Sequence, residues 1–198
     1  MSIQLLLDNP PIVEGDKAGV STLSGSLLGK GSQTISKDDF NEEVDFLGAS
    51  IGFSGQSAFA STLSRNFPRI LELMADAALN PNFTQEEFEK EKEKFIEGLK
   101  SEEKDVSAVA RRVESALAYG TAHPYGEFAS IESIERVTLE DAKAFYNDFF
   151  VPKNAYLVLI GDIDLKSAKK LVKTHFGKWK SAPLKETPFT DPANPVAT

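Results

Sequence analysis

The sequence predicts an α+β fold in which helices outnumber strands. Apolar residues recur every three or four positions in several segments that end at glycines, which is typical of helices with one buried face. Other stretches alternate apolar and small residues or form short apolar runs, as strands do. With 198 residues, 41% of them hydrophobic, the chain is long enough for one domain with a sizeable core.

Four strands are predicted. Residues 3–7 read Ile-Gln-Leu-Leu-Leu and form the first. Residues 49–63 alternate apolar and small polar side chains, which predicts two strands that turn near Gly55. Residues 155–160 are an apolar run, short enough for a buried strand.

Seven helices are predicted around these strands. The first follows Asp16, which we expect to cap it, and ends at Gly29. Three later helices begin at a Ser or Thr followed three residues later by an acidic residue, which is the spacing of a capping box. These pairs are Ser36 with Asp39, Thr84 with Glu87 and Thr138 with Asp141. The helices span about 18–28, 37–47, 65–79, 85–104, 106–119, 139–149 and 165–176.

We predict one domain over residues 1–180 and a linker over residues 181–198. The linker segment is rich in proline and has no periodicity, which is typical of an extended connection. Its prolines are Pro183, Pro188, Pro192 and Pro195. Because the domain starts directly in a strand and the chain stops on a linker, we expect a leader or domain before it and a further domain after it.

Charge and composition exclude several classes of function. The 22 basic and 30 acidic residues give a net charge of −8, which disfavours nucleic acid and anionic membranes as main partners. The absence of cysteine excludes disulfide scaffolds, thiolate zinc sites and cysteine nucleophiles. No apolar run approaches the roughly 18 residues needed to span a bilayer. The acidic balance fits a soluble protein, or one that receives basic peptides.

Few residues are candidates for chemistry. The two histidines, His123 and His175, are far apart, and a catalytic zinc site would need both beside a carboxylate. A structural role is favoured for each: His123 lies in a turn-like segment, and His175 lies at a helix end where a cation suits the dipole. The glycine-rich segment 25–32 is one residue short of a phosphate-binding loop. The charges of residues 86–103 are typical of a solvated helix face.

Several short motifs occur in order along residues 3–180. They are Lys30–Ser32, Asp45–Ala49, Asn80–Phe83, His123–Gly126, Val151–Asn154, Gly161–Asp164 and His175–Trp179. This ordered set resembles peptidase family M16, the pitrilysin and insulinase family of zinc peptidases, which includes the mitochondrial processing peptidases. The resemblance implies an α/β sandwich of the LuxS/MPP type, with a mostly antiparallel sheet and helices packed on it.

Active members of that family carry an inverted His-x-x-Glu-His motif on the first helix, where both histidines bind zinc and the glutamate activates water. The resemblance places this motif on Thr22, Gly25 and Ser26, none of which suits that chemistry. The third zinc ligand falls on Gly98, or on Glu97 with a one-residue slip. An accessory acid falls on Glu91. We therefore predict that this domain has no catalytic residue, no metal ligand and no cofactor. We also expect a neighbouring side chain to fill the opening that small residues leave there.

The resemblance implies a non-catalytic domain that pairs with a zinc-bearing domain of the same chain or with a catalytic partner subunit. The pair would close as a clamshell over an extended peptide, and the parent protein or complex would be a zinc metalloendopeptidase. Family relatives occur in the bacterial cytoplasm and periplasm, and the sequence does not choose between them. Two alternatives stay open: a purely structural subunit, like the core proteins of respiratory complexes, and an enzyme of another kind that uses Glu91 and His123.

Overall fold

The computed structural model describes residues 1–192 and is an α+β fold, as predicted. Four antiparallel strands form one sheet in the order β2-β3-β1-β4. The strands are β1 Ser2–Leu7, β2 Ser50–Ser54, β3 Ser57–Ser61 and β4 Ala155–Ile160. The helices are α1 Val20–Ser26, α2 Lys37–Phe46, α3 Phe67–Leu79, α4 Gln85–Glu102, α5 Val106–Tyr119, α6 Ile131–Arg136, α7 Leu139–Phe149 and α8 Leu165–Phe176.

One core lies between the inner face of the sheet and α3. Every second residue of β1 is buried, because side chains alternate between the two faces of a strand. These side chains meet the most apolar helix of the chain, whose buried residues occupy most of its circumference. The core is formed by Ile3, Leu5, Leu7, Ala58, Ala60, Phe67, Ile70, Leu71 and Met74. Each large side chain buried here stabilises the fold by about 1.5–3 kcal/mol.

A second core holds α1 against α4, α6 and α7. It contains Leu23, Leu27, Phe88, Leu99, Ile134 and Phe145, all of them buried. The hydroxyl of Ser24 donates a hydrogen bond to the carbonyl oxygen of Ala142 at 3.0 Å, and Ser24 is itself buried. A small polar residue therefore lets α1 approach the backbone of α7 closely. This second core fixes the orientation of the helix that carries the predicted motif positions.

The predicted strands and helices are all present. The three predicted N-caps are confirmed, and of these the reciprocal bond of a full capping box forms at Thr138 and Asp141 alone. The hydroxyls of Ser36, Thr84 and Thr138 each accept a hydrogen bond from the backbone N–H three residues later. The prediction for Asp16 is wrong. Asp16 lies in a 3-10 turn, Gly15–Lys17, and α1 begins after Gly19, whose φ of 100° suits a residue without a Cβ.

Two further predictions need correction. The strand β4 is not buried on both sides, because every second side chain is exposed on the face of the sheet that points away from α3. The helix α6 was not predicted, since it has only six residues and its capping box pairs Ser130 with Ser133 rather than with an acid. No helix within residues 1–192 is long and apolar enough to cross a membrane.

The predicted linker lies against the domain over the part that the structure describes. Residues 181–192 contain no helix or strand. The Thr187 hydroxyl accepts a hydrogen bond from Val13 N at 2.9 Å, and the Phe189 ring packs against His123 with 4.8 Å between centroids. Residues 193–198 lie outside the described residues. That the segment joins a further domain stays a prediction.

Candidate functional site

The three motif positions lie together on α1, beside the turn that joins β2 to β3. Positions i, i+3 and i+4 of a helix share one face, which brings Thr22, Gly25 and Ser26 together. A shallow cavity opens at this face. It is lined by Ser21, Thr22, Ser26, Phe53, Ser54, Gly55 and Gln56. Thr22, Gly25 and Ser26 therefore share one face of α1, beside this cavity.

The turn between β2 and β3 packs directly on α1 at Gly25. A Cβ placed on Gly25 would lie 2.5 Å from the carbonyl carbon of Ser54 and closer still to Gly55 N. Likewise, a Cβ placed on Gly55 would lie 2.5 Å from the carbonyl oxygen of Ser21 on α1. Real side chains do not tolerate such distances, so two glycines are needed where the two main chains touch. At Gly25 the expected side chain is replaced by main chain, whereas a cavity stays open beside Thr22 and Ser26.

The side chains at the other two positions are hydroxyls. Ser26 Oγ donates to the carbonyl oxygen of Leu23 at 2.9 Å, and Thr22 is exposed. Zinc in proteins is bound by imidazole, thiolate and carboxylate groups, and neutral hydroxyls are poor substitutes. Among residues 1–192, no three His, Cys, Asp or Glu side chains are grouped so that they could hold a metal ion.

On α4, the two candidates for the third ligand position are both exposed. Nothing lies within 4 Å of a Cβ placed on Gly98, and Glu97 faces solvent. The accessory position, Glu91, is largely buried and forms an ion pair with Lys30 at 2.7 Å. This pair ties α4 to the loop that follows α1. The carboxylate of Glu91 is therefore already neutralised by a cation of the chain.

The two histidines lie in different surroundings. His123 is 3% exposed, and its Nδ1 accepts a hydrogen bond from the backbone N–H of Tyr125 at 3.1 Å. The ring of Tyr119 stacks on it, and its Nε2 lies 3.5 Å from the carboxylate of Asp191. His175, in the last turn of α8, instead borders a cavity that Asp76 also lines. The contacts of His123 are those of a packed residue that helps to hold the chain near residue 190.

Sequence reasoning missed a partly buried carboxylate, Glu14, just before α1. Glu14 accepts a hydrogen bond from Gly19 N at 2.5 Å, and burial raises its pKa above the usual range although Ser21 and Gly19 donate to it. The nearby Glu127 also raises that pKa. The carboxylate of Glu127 accepts from Glu14 N at 2.9 Å and from Gly15 N at 2.8 Å. This arrangement anchors Glu127 to the 3-10 turn that precedes α1. No spacing or motif in the sequence signals it.

Two protein-family models match parts of this chain. The model of the insulinase family, peptidase family M16, matches residues 12–124, which is more than half of the chain. The chain belongs to peptidase family M16. A second model, described as the peptidase M16 inactive domain, matches residues 136–197. The family resemblance is thereby confirmed.

Curated relatives are zinc proteases and a processing peptidase. The zinc protease PqqE of Helicobacter pylori is 27% identical over 182 residues, which cover 87% of this chain and 40% of the relative. The mitochondrial-processing peptidase subunit beta of Bos taurus is 23% identical over 168 residues, covering 82% of this chain and 34% of that one. This M16 chain thus spans about two-fifths or less of the length of these relatives.

Solved structures share the fold. A protease from Helicobacter pylori has a TM-score of 0.81 at 22% identity, covering 95% of this chain and 47% of that chain. A peptidase M16 inactive domain from Pseudomonas fluorescens has a TM-score of 0.83 at 20% identity, covering 96% of this chain and 48% of that chain. The α/β sandwich predicted for this M16 domain is therefore confirmed.

Proposed function

We propose that this chain is a non-catalytic M16 domain that pairs with a zinc-bearing M16 domain, in the same chain or in a partner subunit, and helps to enclose an extended peptide. The supporting observation is the contact between Gly25 and the β2–β3 turn. Main chain occupies the space beside the position where an active domain would carry its glutamate. With hydroxyls at Thr22 and Ser26, α1 offers neither a general base nor a histidine ligand.

The strand β2 is the best surface of this domain for an extended peptide. Among residues 1–192 it pairs only with β3, so its other edge has no strand partner. It packs beside α1, next to the motif positions. An added peptide strand would form main-chain hydrogen bonds with this edge, and such binding tolerates many sequences. The net charge of −8 favours peptides with basic residues.

Zinc content and peptidase activity test whether this domain is non-catalytic. We expect the purified chain, after incubation with zinc and desalting, to hold far less than one equivalent by elemental analysis. We also expect no cleavage of an unfolded peptide above the buffer rate. The zinc protease PqqE of Helicobacter pylori, handled in the same way, serves as the positive control. Stoichiometric zinc that is lost on Thr22→Ala or Ser26→Ala would contradict the proposal.

Purification from the source organism tests whether this domain pairs with a zinc-bearing M16 domain. A tag at the chromosomal locus recovers the chain with whatever it is joined to or bound to. We expect a zinc-bearing M16 domain to be identified by mass spectrometry, either in the same polypeptide or as a stoichiometric subunit. Recovery with a membrane complex that lacks such a domain would instead favour the purely structural role that the sequence left open.

A further inference from the structure

A cavity of about 490 Å³, here called the helix-end cavity, opens where three helices end. It lies between the last turns of α3 and α7 and the residues at and just beyond the end of α8. Ligand pockets in proteins have volumes of about 300–1,000 Å³, so this one has room for a small organic molecule. Neither α1 nor β2 contributes a residue to its lining, so it is separate from the site described above.

Aromatic rings form one wall of the helix-end cavity. This aromatic wall consists of Tyr146, Phe150 and Trp179. The rings of Tyr146 and Phe150 stack with 5.1 Å between centroids, and the ring of Trp179 lies 5.6 Å from that of Phe150. The Tyr146 hydroxyl donates a hydrogen bond to the carbonyl oxygen of Ala78 at 2.8 Å, which fixes its ring. A rigid aromatic surface can bind a planar ring without first ordering side chains, which favours binding.

Basic side chains complete the lining of the helix-end cavity. They are His175, Lys178 and Lys180, and none of the described residues that line it is an acid. This balance is the reverse of that of the whole chain, which has 30 acidic and 22 basic residues. Six other lysines pair with a carboxylate of the chain, whereas within residues 1–192 neither Lys178 nor Lys180 forms an ion pair.

The carboxylates of the neighbouring helix turns have other partners. Asp148, in the last turn of α7, pairs with Lys185 at 2.6 Å. Asp76, in the last turn of α3, accepts hydrogen bonds from two hydroxyls and from the Asn80 amide. An anion from outside the chain is therefore the complement that the two lysines of the helix-end cavity lack among residues 1–192.

We propose that the helix-end cavity binds a small organic anion that consists of a planar ring and one carboxylate or phosphate group. The ring stacks on the aromatic wall, and the anionic group accepts charge-assisted hydrogen bonds from Lys178 and Lys180. The helix ends favour the opposite charge, since each carries about half a negative elementary charge. Two full positive charges exceed these partial ones, whose effect fades within the last turn. This site is independent of the proposed function.

Fluorescence of Trp179 tests the proposal, because it is the only tryptophan of the chain. Nitroaromatic rings quench indole fluorescence on contact, so 4-nitrobenzoate and 4-nitrophenyl phosphate are suitable anionic probes. The tighter of the two identifies the anionic group. For that probe we expect saturable quenching of the 198-residue chain with a Kd of roughly 1 mM, as for other ligands of this size. We expect neutral 4-nitrobenzamide and cationic 4-nitrobenzylamine to bind at least fivefold more weakly.

Paired lysine variants locate the bound probe. Lys178→Gln with Lys180→Gln removes two charges from the helix-end cavity. The control Lys169→Gln with Lys170→Gln removes two charges from positions of α8 that do not line it. All four lysines are exposed, so we expect both variants to keep the native circular dichroism. We expect the first variant to bind the tighter anion five- to tenfold more weakly and 4-nitrobenzamide within twofold of the native chain, and the control to bind both as the native chain does.

Several results would overturn this site. Quenching by both anions that stays linear up to about 10 mM would show that the helix-end cavity holds neither of them. Equal quenching by the amide and the anions would show that the lysines do not take part, and tighter binding of the cation would show that the helix ends decide the charge. Equal losses in the two lysine variants would place the effect outside the cavity. None of these results changes the zinc content or the recovery of a second M16 domain, so the proposed function is tested separately.

Discussion

Gly25 occupies the place where the family resemblance expects the glutamate that activates water, and it is also the place where the β2–β3 turn touches α1. A larger side chain here would have to displace the main chain at Ser54 and Gly55. Because that turn connects two paired strands, its displacement would disturb the end of the sheet. The absence of a side chain at Gly25 therefore has two consequences. The residue carries no carboxylate, and the β2–β3 turn can pack against α1.

A comparison of two helical glycines tests this contact. Alanine is a better helix former than glycine by about 1 kcal/mol, so Gly→Ala in a helix with free space should stabilise. We expect Gly98→Ala on α4 to raise the free energy of unfolding by about 0.5–1 kcal/mol, because its Cβ meets nothing. We expect Gly25→Ala to lower it by about 1–3 kcal/mol, because the new Cβ overlaps the turn. Urea unfolding measures both. Stabilisation by Gly25→Ala would show that the turn moves freely.

Motif spacing placed the site positions on α1, because Thr22, Gly25 and Ser26 lie within five residues and helix geometry is local. The contact between Gly25 and Gly55 could not be predicted, since it joins residues 30 positions apart through the fold of the hairpin. The same is true of the ion pair between Lys30 and Glu91. That the site lacks zinc ligands and a general base stays a prediction from residue types, whereas the contacts at Gly25 and Glu91 are seen only in the tertiary structure.

At the scale of elements, Asp76 joins α3 to the loop that follows α1. Its carboxylate accepts hydrogen bonds from the hydroxyls of Ser32 and Thr34 and from the Asn80 amide. Burial alone would raise its pKa, but these hydrogen bonds outweigh burial and hold the pKa of Asp76 below its usual range. An acid with a lowered pKa stabilises the fold at pH values above its unfolded pKa of about 3.9 and loses that contribution as the pH falls through the lower folded value.

Asp76→Asn is expected to lower the free energy of unfolding at pH 7 by about 1 kcal/mol, the lower end for charged hydrogen bonds, because Asp76 is only partly buried. The difference from the native chain should shrink as the pH falls from about 4, where Asp76 of the unfolded chain becomes protonated, through its lower folded pKa. Urea unfolding at several pH values measures it. Glu72→Gln, on the same helix and in an exposed ion pair with Arg69, is the control and should change stability by less than about 0.5 kcal/mol. A pH-independent difference would contradict the role of the charge.

The segment 181–192 is held to the domain at alternate residues. Lys185 pairs with Asp148 at 2.6 Å, Thr187 bonds the backbone near Val13, and Phe189 packs on His123. Alternate contacts are what an extended chain makes with a surface, since its side chains point to opposite sides in turn. Docking of this segment therefore depends on a few small contacts.

Phe189→Ala is expected to loosen this segment. An aromatic edge contact contributes about 0.5–1.5 kcal/mol, so cleavage by trypsin after Lys185 should become roughly two- to tenfold faster under native conditions. Mass spectrometry of timed digests measures the rate. Thr190→Ala, at an exposed position next to Phe189 and away from the cleaved bond, is the control and should leave the rate unchanged. Equal rates for all three proteins would mean that Phe189 does not hold the segment.

Element boundaries were predictable where their signals are local. The hydroxyl caps at Ser36, Thr84 and Thr138 each lie within three residues of the N–H that they accept from, so the sequence carried the full signal. Burial of β4 was not predictable in this way. Its apolar composition indicated cover on both faces, whereas within residues 1–192 the side chains on its outer face are exposed.

At the scale of the whole molecule, the two faces of the sheet differ. The inner face packs on α3, and the outer face, which carries Tyr156, Val158 and Ile160, points away from α3. The inner face is packed within the chain, while the outer face leaves its apolar patch to solvent in the isolated domain. Burial of that patch by a partner would add stability that the chain lacks alone, because binding to the folded state stabilises it by mass action.

We therefore expect the domain to melt at a higher temperature in its assembly than as the isolated 198-residue chain. A partner at about 100 times its Kd adds about 2.7 kcal/mol, which for a domain of this size corresponds to a rise in Tm of roughly 5–10 °C. Differential scanning calorimetry of both samples measures the shift. The variant Val158→Lys with Ile160→Lys should melt like the native chain when isolated, since both positions are exposed, and should show little of the rise in the assembly. A full rise in that variant would mean that the stabilising contact lies on another surface of the domain.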